Sequence, residues 1–272
     1  PGTRRDTRPQ RGPKRSSEAD SRVSVAIVTG ASAGIGAAIA RALSVEGFDL
    51  ALGARGLDRL EALASELREA GGRAQAFALD VSDSASIDAF YASVGEALGP
   101  VDVLVNNAGV CRPGLFAEGD DADLEYEVAT NFLGPARLSR RVVRELRARN
   151  APGDVVFISS ENAVHPRTYQ LGYTATKMGL EGLASVLRME LEGSGIRSTV
   201  VRPGPTESEF GFGWDPVLLE EILVSWSHWG VQRHMDILPP SSVARAVVQV
   251  VTAPRGTHYD LVSVMPERSA DS

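Results

Sequence analysis

The stretch Val23-Ser24-Val25-Ala26-Ile27-Val28-Thr29-Gly30-Ala31-Ser32-Ala33-Gly34-Ile35-Gly36 decides the fold. Its first seven residues form a short apolar run rich in β-branched side chains, which reads as a buried strand. Glycines stand at 30, 34 and 36, and residues 34–46 read as a helix whose small side chains pack on that strand. Glycines at such a junction let the backbone turn sharply and come close to a pyrophosphate, and a helix N-terminus favours the anion. The spacing is G-x3-G-x-G, not the commoner G-x-G-x-x-G. A tight strand-to-helix turn without a ligand uses glycines in the same way. The strand before and the helix after favour a cofactor.

The alternation continues outward. Residues 49–54 read as the next strand. Residues 57–70 form an amphipathic helix with leucines at 57, 60, 63 and 67, closed by Gly71-Gly72. Residues 74–79, 101–105, 154–159 and 196–201 are further strands, with helices at about 84–98, 123–149 and 169–192 between them. Strict alternation predicts a single α/β domain, residues 23–272, built on a doubly wound parallel sheet of the Rossmann type with helices on both faces. Its crossovers are expected to be right-handed, and ligand to bind beyond the carboxyl ends of the strands.

Composition narrows the function. The 272 residues carry a formal charge of −7, with 43% hydrophobic residues, which excludes a disordered chain and argues against nucleic acid as a partner. The single cysteine, Cys111, excludes a disulfide framework and a cysteine-rich zinc site. The four histidines, 165, 228, 234 and 258, contain no HxxxH pair, so no metal site is expected. No run of about 18 apolar residues is present to span a membrane. Residues 1–22 hold seven basic and three acidic side chains and no large apolar residue, which predicts a disordered basic tail. Without an apolar h-region the tail is not a secretory signal, and a cytoplasmic location is expected.

The end of the second strand bears on the choice of cofactor. An acid there binds a ribose 2′-hydroxyl, whereas an arginine accommodates a 2′-phosphate. The chain reads Leu52-Gly53-Ala54-Arg55, with Asp49 too early in the strand. NADP(H) is therefore favoured, with NAD(H) the alternative and a surface role for Arg55 the plain competitor.

Tyr173 and Lys177 lie four apart in a helical segment and share a face. A free phenol, with a pKa of about 10, is a poor acid-base group at neutral pH, and a nearby cation favours its phenolate. Alone, such a pair is usually no more than helix surface. Here Gly30 to Gly36, Asn106-Asn107-Ala108-Gly109, Ser159-Ser160, Tyr173-x3-Lys177 and Pro203-Gly204 follow one another in a set order. In this the chain resembles the short-chain dehydrogenase/reductase family, in its ordinary, non-extended branch, over about residues 23–264.

The resemblance implies a seven-stranded sheet and an oxidoreductase that interconverts a carbonyl and an alcohol. Tyr173 would be the general acid in reduction and the base in oxidation. Lys177 would hold the nicotinamide ribose and lower the tyrosine pKa, Ser160 would hydrogen-bond the substrate oxygen, and Asn131 would hold a water relaying protons to Lys177. The cofactor would lie on Gly30, Ser32, Gly34, Ile35 and Gly36, with Asp80-Val81 at the adenine and Arg55 at its ribose. Asn107, Ala108 and Gly109 would line it, Asn107 in a more structural role, and Pro203-Gly204 would flank the nicotinamide. Two features depart from the pattern. Ala33 stands where many NADP-dependent members carry a second basic residue. The carboxamide-binding threonine is matched by Ser208 in spacing, with Thr206 in competition.

Residues 205–238 are expected to form a lid containing Phe210, Phe212 and all three tryptophans, 214, 226 and 229, which suggests a hydrophobic small-molecule substrate. Packing of the lid onto the body explains the same aromatics equally well. His165 and Cys111 read as an exposed loop residue and a small buried one. The helix at 169–192 is apolar on more than one face, which predicts a homodimer or homotetramer. Two other classes remain in view: a dinucleotide sensor without turnover, and a protein whose basic tail docks it on an anionic surface.

Overall fold

A computed structural model of the chain describes residues 22–211, 213–231 and 236–267. The central strands are apolar from end to end because both of their faces are covered. β1 (Val25–Thr29), β2 (Asp49–Ala54) and β5 (Gly153–Ile158) are buried at every position. β4 (Val101–Asn106) and β6 (Ile196–Pro203) are nearly so. The two edge strands, β3 (Ala74–Ala78) and β7 (Leu261–Val264), mix buried or half-buried residues with exposed ones. All neighbouring strands pair in parallel, in the order β3-β2-β1-β4-β5-β6-β7. The chain thus starts in the middle of the sheet, winds to one edge, returns, and winds to the other. The switch point falls between β1 and β4, where ligand crevices open in such sheets.

Period-two alternation sends adjacent residues to opposite layers. Ala26, Val28, Leu50 and Leu52 face one core, covered by α1 (Gly34–Val45), α2 (Leu57–Glu69) and α8 (Pro240–Thr252). Val25, Ile27, Ala51 and Leu104 face the other, covered by α3 (Ser84–Leu98), α5 (Gly134–Ala148) and α6 (Leu171–Glu190). Two further helices, α4 (Asp121–Val128) and α7 (Pro216–His228), lie above the carboxyl end of the sheet.

The structure corrects several expectations. The long helix expected at 123–149 is two helices joined by one π-helical turn, Ala129–Leu133, which carries Asn131. β1 begins at Val25 rather than Val23, because Asp102 accepts a 3.0 Å bond from Val25 N and pairs with Arg22 ahead of the strand. Of the four leucines placed on the apolar face of α2, Leu57 is exposed, since it opens the helix beyond the sheet edge. The expected tail lies, apart from Arg22, outside the described residues. Phe212 and His234 also lie outside them. Among the described residues no helix is long and apolar enough to cross a membrane, and no cluster of metal-ligating side chains occurs.

Candidate active site

A cavity of about 750 Å³ opens at the carboxyl ends of β1, β2, β4, β5 and β6. The Gly30–Gly36 turn forms one wall. Gly30 has φ +65°, and a Cβ there would lie 2.9 Å from Ala108 Cα. A Cβ on Gly36 would lie 2.2 Å from Gly30 O and 2.6 Å from Asn107 Nδ2. Only glycine fits these two places. Ala33, the residue ahead of α1, offers no side-chain cap, and no acid occupies the first turn of the helix. The first N–H groups of α1 are therefore available to an anion. A dinucleotide pyrophosphate fits this cradle.

Asn107 secures it. Its Nδ2 donates to Thr29 O at 2.9 Å and to Gly30 O at 3.2 Å. Thr29 Oγ1 accepts from the N–H groups of Asn107 and Ala108, each at 3.0 Å. Sequence reading passed over Thr29, whose hydroxyl joins the glycine turn to the Asn107 loop.

Arg55 lines the cavity just past β2, beside Asp80 and Val81 of the β3 end. Its Nη1 donates to Tyr126 Oη of α4 at 2.5 Å, so the guanidinium is held over the cleft. The Asp80 carboxylate accepts from Ser82 N at 2.9 Å and Ser82 Oγ at 2.6 Å, which commits it to its own loop. Tyr126 has no motif, since it meets Arg55 only through the fold, 71 positions away.

At the other end of the cavity stand Ser160, Tyr173 and Lys177. Of the two serines at the end of β5, Ser159 donates to Glu181 at 2.7 Å. Ser160 Oγ accepts from Asn162 N at 3.2 Å and hydrogen-bonds the Tyr173 phenol. Lys177 Nζ donates to Ile158 O at 2.8 Å and sits 5.6 Å from the Tyr173 ring centroid. It therefore lies against the phenol ring, as the i, i+4 spacing predicts.

Burial pushes the Tyr173 phenol up to about 12, opposed by the hydrogen bond from Ser160. Burial brings Lys177 down to about 8, opposed by Glu181. Desolvation is thus the leading influence on Tyr173, and the protonated phenol prevails at neutral pH.

Asn131 does not line the cavity. Its Oδ1 accepts from Val110 N and its Nδ2 donates to Val110 O, both at 2.8 Å, with Thr176 Oγ1 at 3.2 Å from Nδ2. The side chain fastens the loop after Gly109 to the π-helical turn, and Oδ1 keeps a second lone pair beyond the bond from Val110 N. Pro203, Gly204, Thr206 and Ser208 line the cavity as expected. Thr206 Oγ1 donates to Gly204 O at 2.9 Å, while Ser208 Cβ would lie 3.2 Å from a Cβ on Gly34. Thr206 thus sits at the β6 end, and Ser208 lies over the glycine turn.

The lid is less uniform than its composition suggests. Phe210, Trp214, Leu219, Trp226 and Ile237 form an apolar side, with the Phe210 ring 5.1 Å from the Tyr173 ring. Trp229 is exposed, and it is absent from the cavity wall. The same cavity has a polar part, Glu161, Asn162, Arg167 and Gln170, that composition did not announce, and Arg167 meets the apolar side at Trp226. The expectation of a hydrophobic substrate therefore describes only the lid side. His165 is exposed and outside the cavity; Cys111 is buried, its thiol pushed up by burial and by Glu127.

Fold and cavity together define a dinucleotide-dependent oxidoreductase. The family model described as short chain dehydrogenase matches residues 24–214. The chain belongs to the short-chain dehydrogenase/reductase family, enzymes that act on CH–OH and C=O groups. It is 37% identical over 236 residues to the 2,3-dihydro-2,3-dihydroxybenzoate dehydrogenase of Bacillus subtilis, covering 85% of this chain and 90% of that one. Among solved structures it is similar to an alcohol dehydrogenase of Thermococcus sibiricus complexed with 5-hydroxy-NADP. The TM-score is 0.76 at 30% identity, with 89% and 96% of the two chains covered. It is equally similar to actinorhodin polyketide ketoreductase with NADPH, with a TM-score of 0.76, 31% identity, and 90% and 96% covered.

Proposed function

We propose that this chain is an NADP(H)-dependent oxidoreductase that interconverts a small-molecule carbonyl and its alcohol, with Tyr173 as general acid/base. The supporting observation is the meeting of Ser160, Tyr173 and Lys177 at one end of a cavity whose other end holds the Gly30–Gly36 turn and Arg55. NADP(H) accompanies related structures, and Arg55 suits a 2′-phosphate here. NAD(H) remains the second reading, because Ala33 leaves Arg55 without a second cation in the turn.

In this reading a bound nicotinamide supplies or takes up the hydride at the carbon. Ser160 holds the substrate oxygen. In reduction Tyr173, protonated at neutral pH, donates its proton to that oxygen, and in this dry site the phenol gives it up less readily than in water. In oxidation it takes the proton back. Lys177 keeps two of its three N–H donors beyond the bond to Ile158 and turns them to the nicotinamide ribose. Arg55 pairs with the 2′-phosphate and Asp80-Val81 border the adenine.

Reduction of a panel of aldehydes, ketones, quinones and 3-oxoacyl thioesters, followed as NADPH loss, tests the reading. Turnover of none of them would overturn it. Ser160→Ala is expected to lower kcat and leave the cofactor Kd nearly unchanged; equal loss in both would place Ser160 outside the chemistry.

We also propose a cytoplasmic homo-oligomer. Leu171, Met178, Val186 and Met189 of α6 are all exposed in the single chain, an apolar surface that a second copy would cover. Light scattering at micromolar concentration should give at least twice the chain mass of 28.9 kDa. A monomer would refute it.

A further inference from the structure

We propose that Arg167 selects substrates that carry a carboxylate as well as the reacting carbonyl or alcohol. This rests on the oxidoreductase reading above and adds the chemical class of its substrate.

Arg167 stands in the wall of the cavity that holds Tyr173 and Ser160, and its side chain is only 8% exposed. A cation is costly to bury unless it is held and balanced. Three contacts do this. Nη1 donates to Asn162 Oδ1 at 2.5 Å, Nη2 pairs with Glu161, and the Trp226 ring centroid lies 5.0 Å from Cζ. These contacts fix the plane of the guanidinium, but they use few of its donors. A guanidinium has five N–H groups. Two are taken by Asn162 and Glu161, and among the described residues the other three find no acceptor. Nε is buried without a partner. Nε itself is covered, so the donors left for a molecule in the cavity are the second N–H groups of Nη1 and Nη2.

The surroundings limit what that acceptor can be. Asn162 is itself committed, with Nδ2 on Gln170 Oε1 at 2.6 Å and its backbone N–H on Ser160. The Arg167 fork is thus registered to the serine that holds the substrate oxygen. The lid side is apolar, lined by Phe210 and Trp214, whose rings lie 5.9 Å apart. A molecule seated between them presents its apolar body to the lid and one polar end to Arg167. A planar fork with free N–H groups matches a carboxylate, and charge-assisted pairs of this kind are the strong ones. Glu161 is already one carboxylate on Arg167, so a substrate acid must share the cation with it, and a single monoanionic group is the class implied, not a polyanion.

The test compares kcat/KM with NADPH for 2-, 3- and 4-formylbenzoate and their methyl esters. The three isomers scan the separation between aldehyde and acid. At least one acid should be preferred over its ester by about tenfold or more, the strength of a charge-assisted bond. Arg167→Gln should abolish that preference, and Arg167→Lys, which keeps the charge without the fork, should reduce it. Esters turned over as well as every acid would overturn the inference. So would variants that depress acid and ester equally, since Arg167 would then only pin the lid through Trp226. Turnover of neither class, with none on the wider panel, would instead sink the oxidoreductase reading and this inference with it. The wild-type ratio decides the matter even if the glutamine variant fails to fold.

Discussion

Tyr173→Phe is expected to lower kcat by about 10²- to 10⁴-fold, the usual worth of a positioned acid-base group, while the fold and the cofactor Kd stay close to wild type. The substitution removes one oxygen and leaves the ring. The ring makes the contacts that matter to packing: Phe210 at 5.1 Å and Lys177 Nζ at 5.6 Å from its centroid. What disappears is the buried phenolic proton. That proton is held tightly, because burial raises the phenol to about 12. Stopped-flow or steady-state turnover gives kcat, and cofactor titration gives Kd. Near wild-type turnover would take Tyr173 out of the mechanism.

The second large effect is expected at Arg55. Arg55→Ala should weaken NADPH by roughly 10- to 150-fold, the range for loss of hydrogen bonds to a charged group, and should affect NADH much less. The guanidinium is positioned in advance by Tyr126, so little ordering is required when the phosphate arrives. Adding Ala54→Asp should carry the ratio further, since a carboxylate repels the phosphate and accepts from free ribose hydroxyls. Asp80, the acid at the end of the next strand, accepts two bonds from Ser82 of its own loop through Oδ1. The readout is kcat/KM for both cofactors. A wild type that prefers NADH, or a ratio unmoved by Arg55→Ala, would overturn the assignment and leave Tyr173 untouched.

What was legible in the chain followed from periodicity and local rules. β1, β2 and β5 are continuous apolar runs because both faces are covered, so they announce themselves. The glycines at 30 and 36 answer to a positive φ and a close approach, which sequence spacing encodes. β7 escaped because two exposed and two half-buried residues at a sheet edge carry no such signature. The π-helical turn at Ala129–Leu133 escaped because one additional residue per turn leaves the apolar spacing of its neighbours intact. The polar part of the cavity escaped for a different reason. Glu161 and Asn162 lie in one short 3-10 turn and Arg167 and Gln170 in the connection after it, without a period, and only folding turns them toward one cavity. The burial of Tyr173 was not legible, because spacing reveals which charges are near but not how dry the site is.

The lid described above also determines what light the molecule emits. All three tryptophans lie between residues 214 and 229, and none lies in the sheet or its covering helices. Trp226 is fastened by its Nε1 to Thr168 O at 3.0 Å and stacked on a cation, Trp214 packs on Phe210, and Trp229 is open to solvent. Indole fluorescence therefore reports the seating of this one segment, whereas far-ultraviolet circular dichroism reports the sheet and helices. In a denaturation curve the two signals need not coincide. A transition seen in emission alone would register the lid leaving its seat over an intact sheet, and should not be read as the melting of the whole chain.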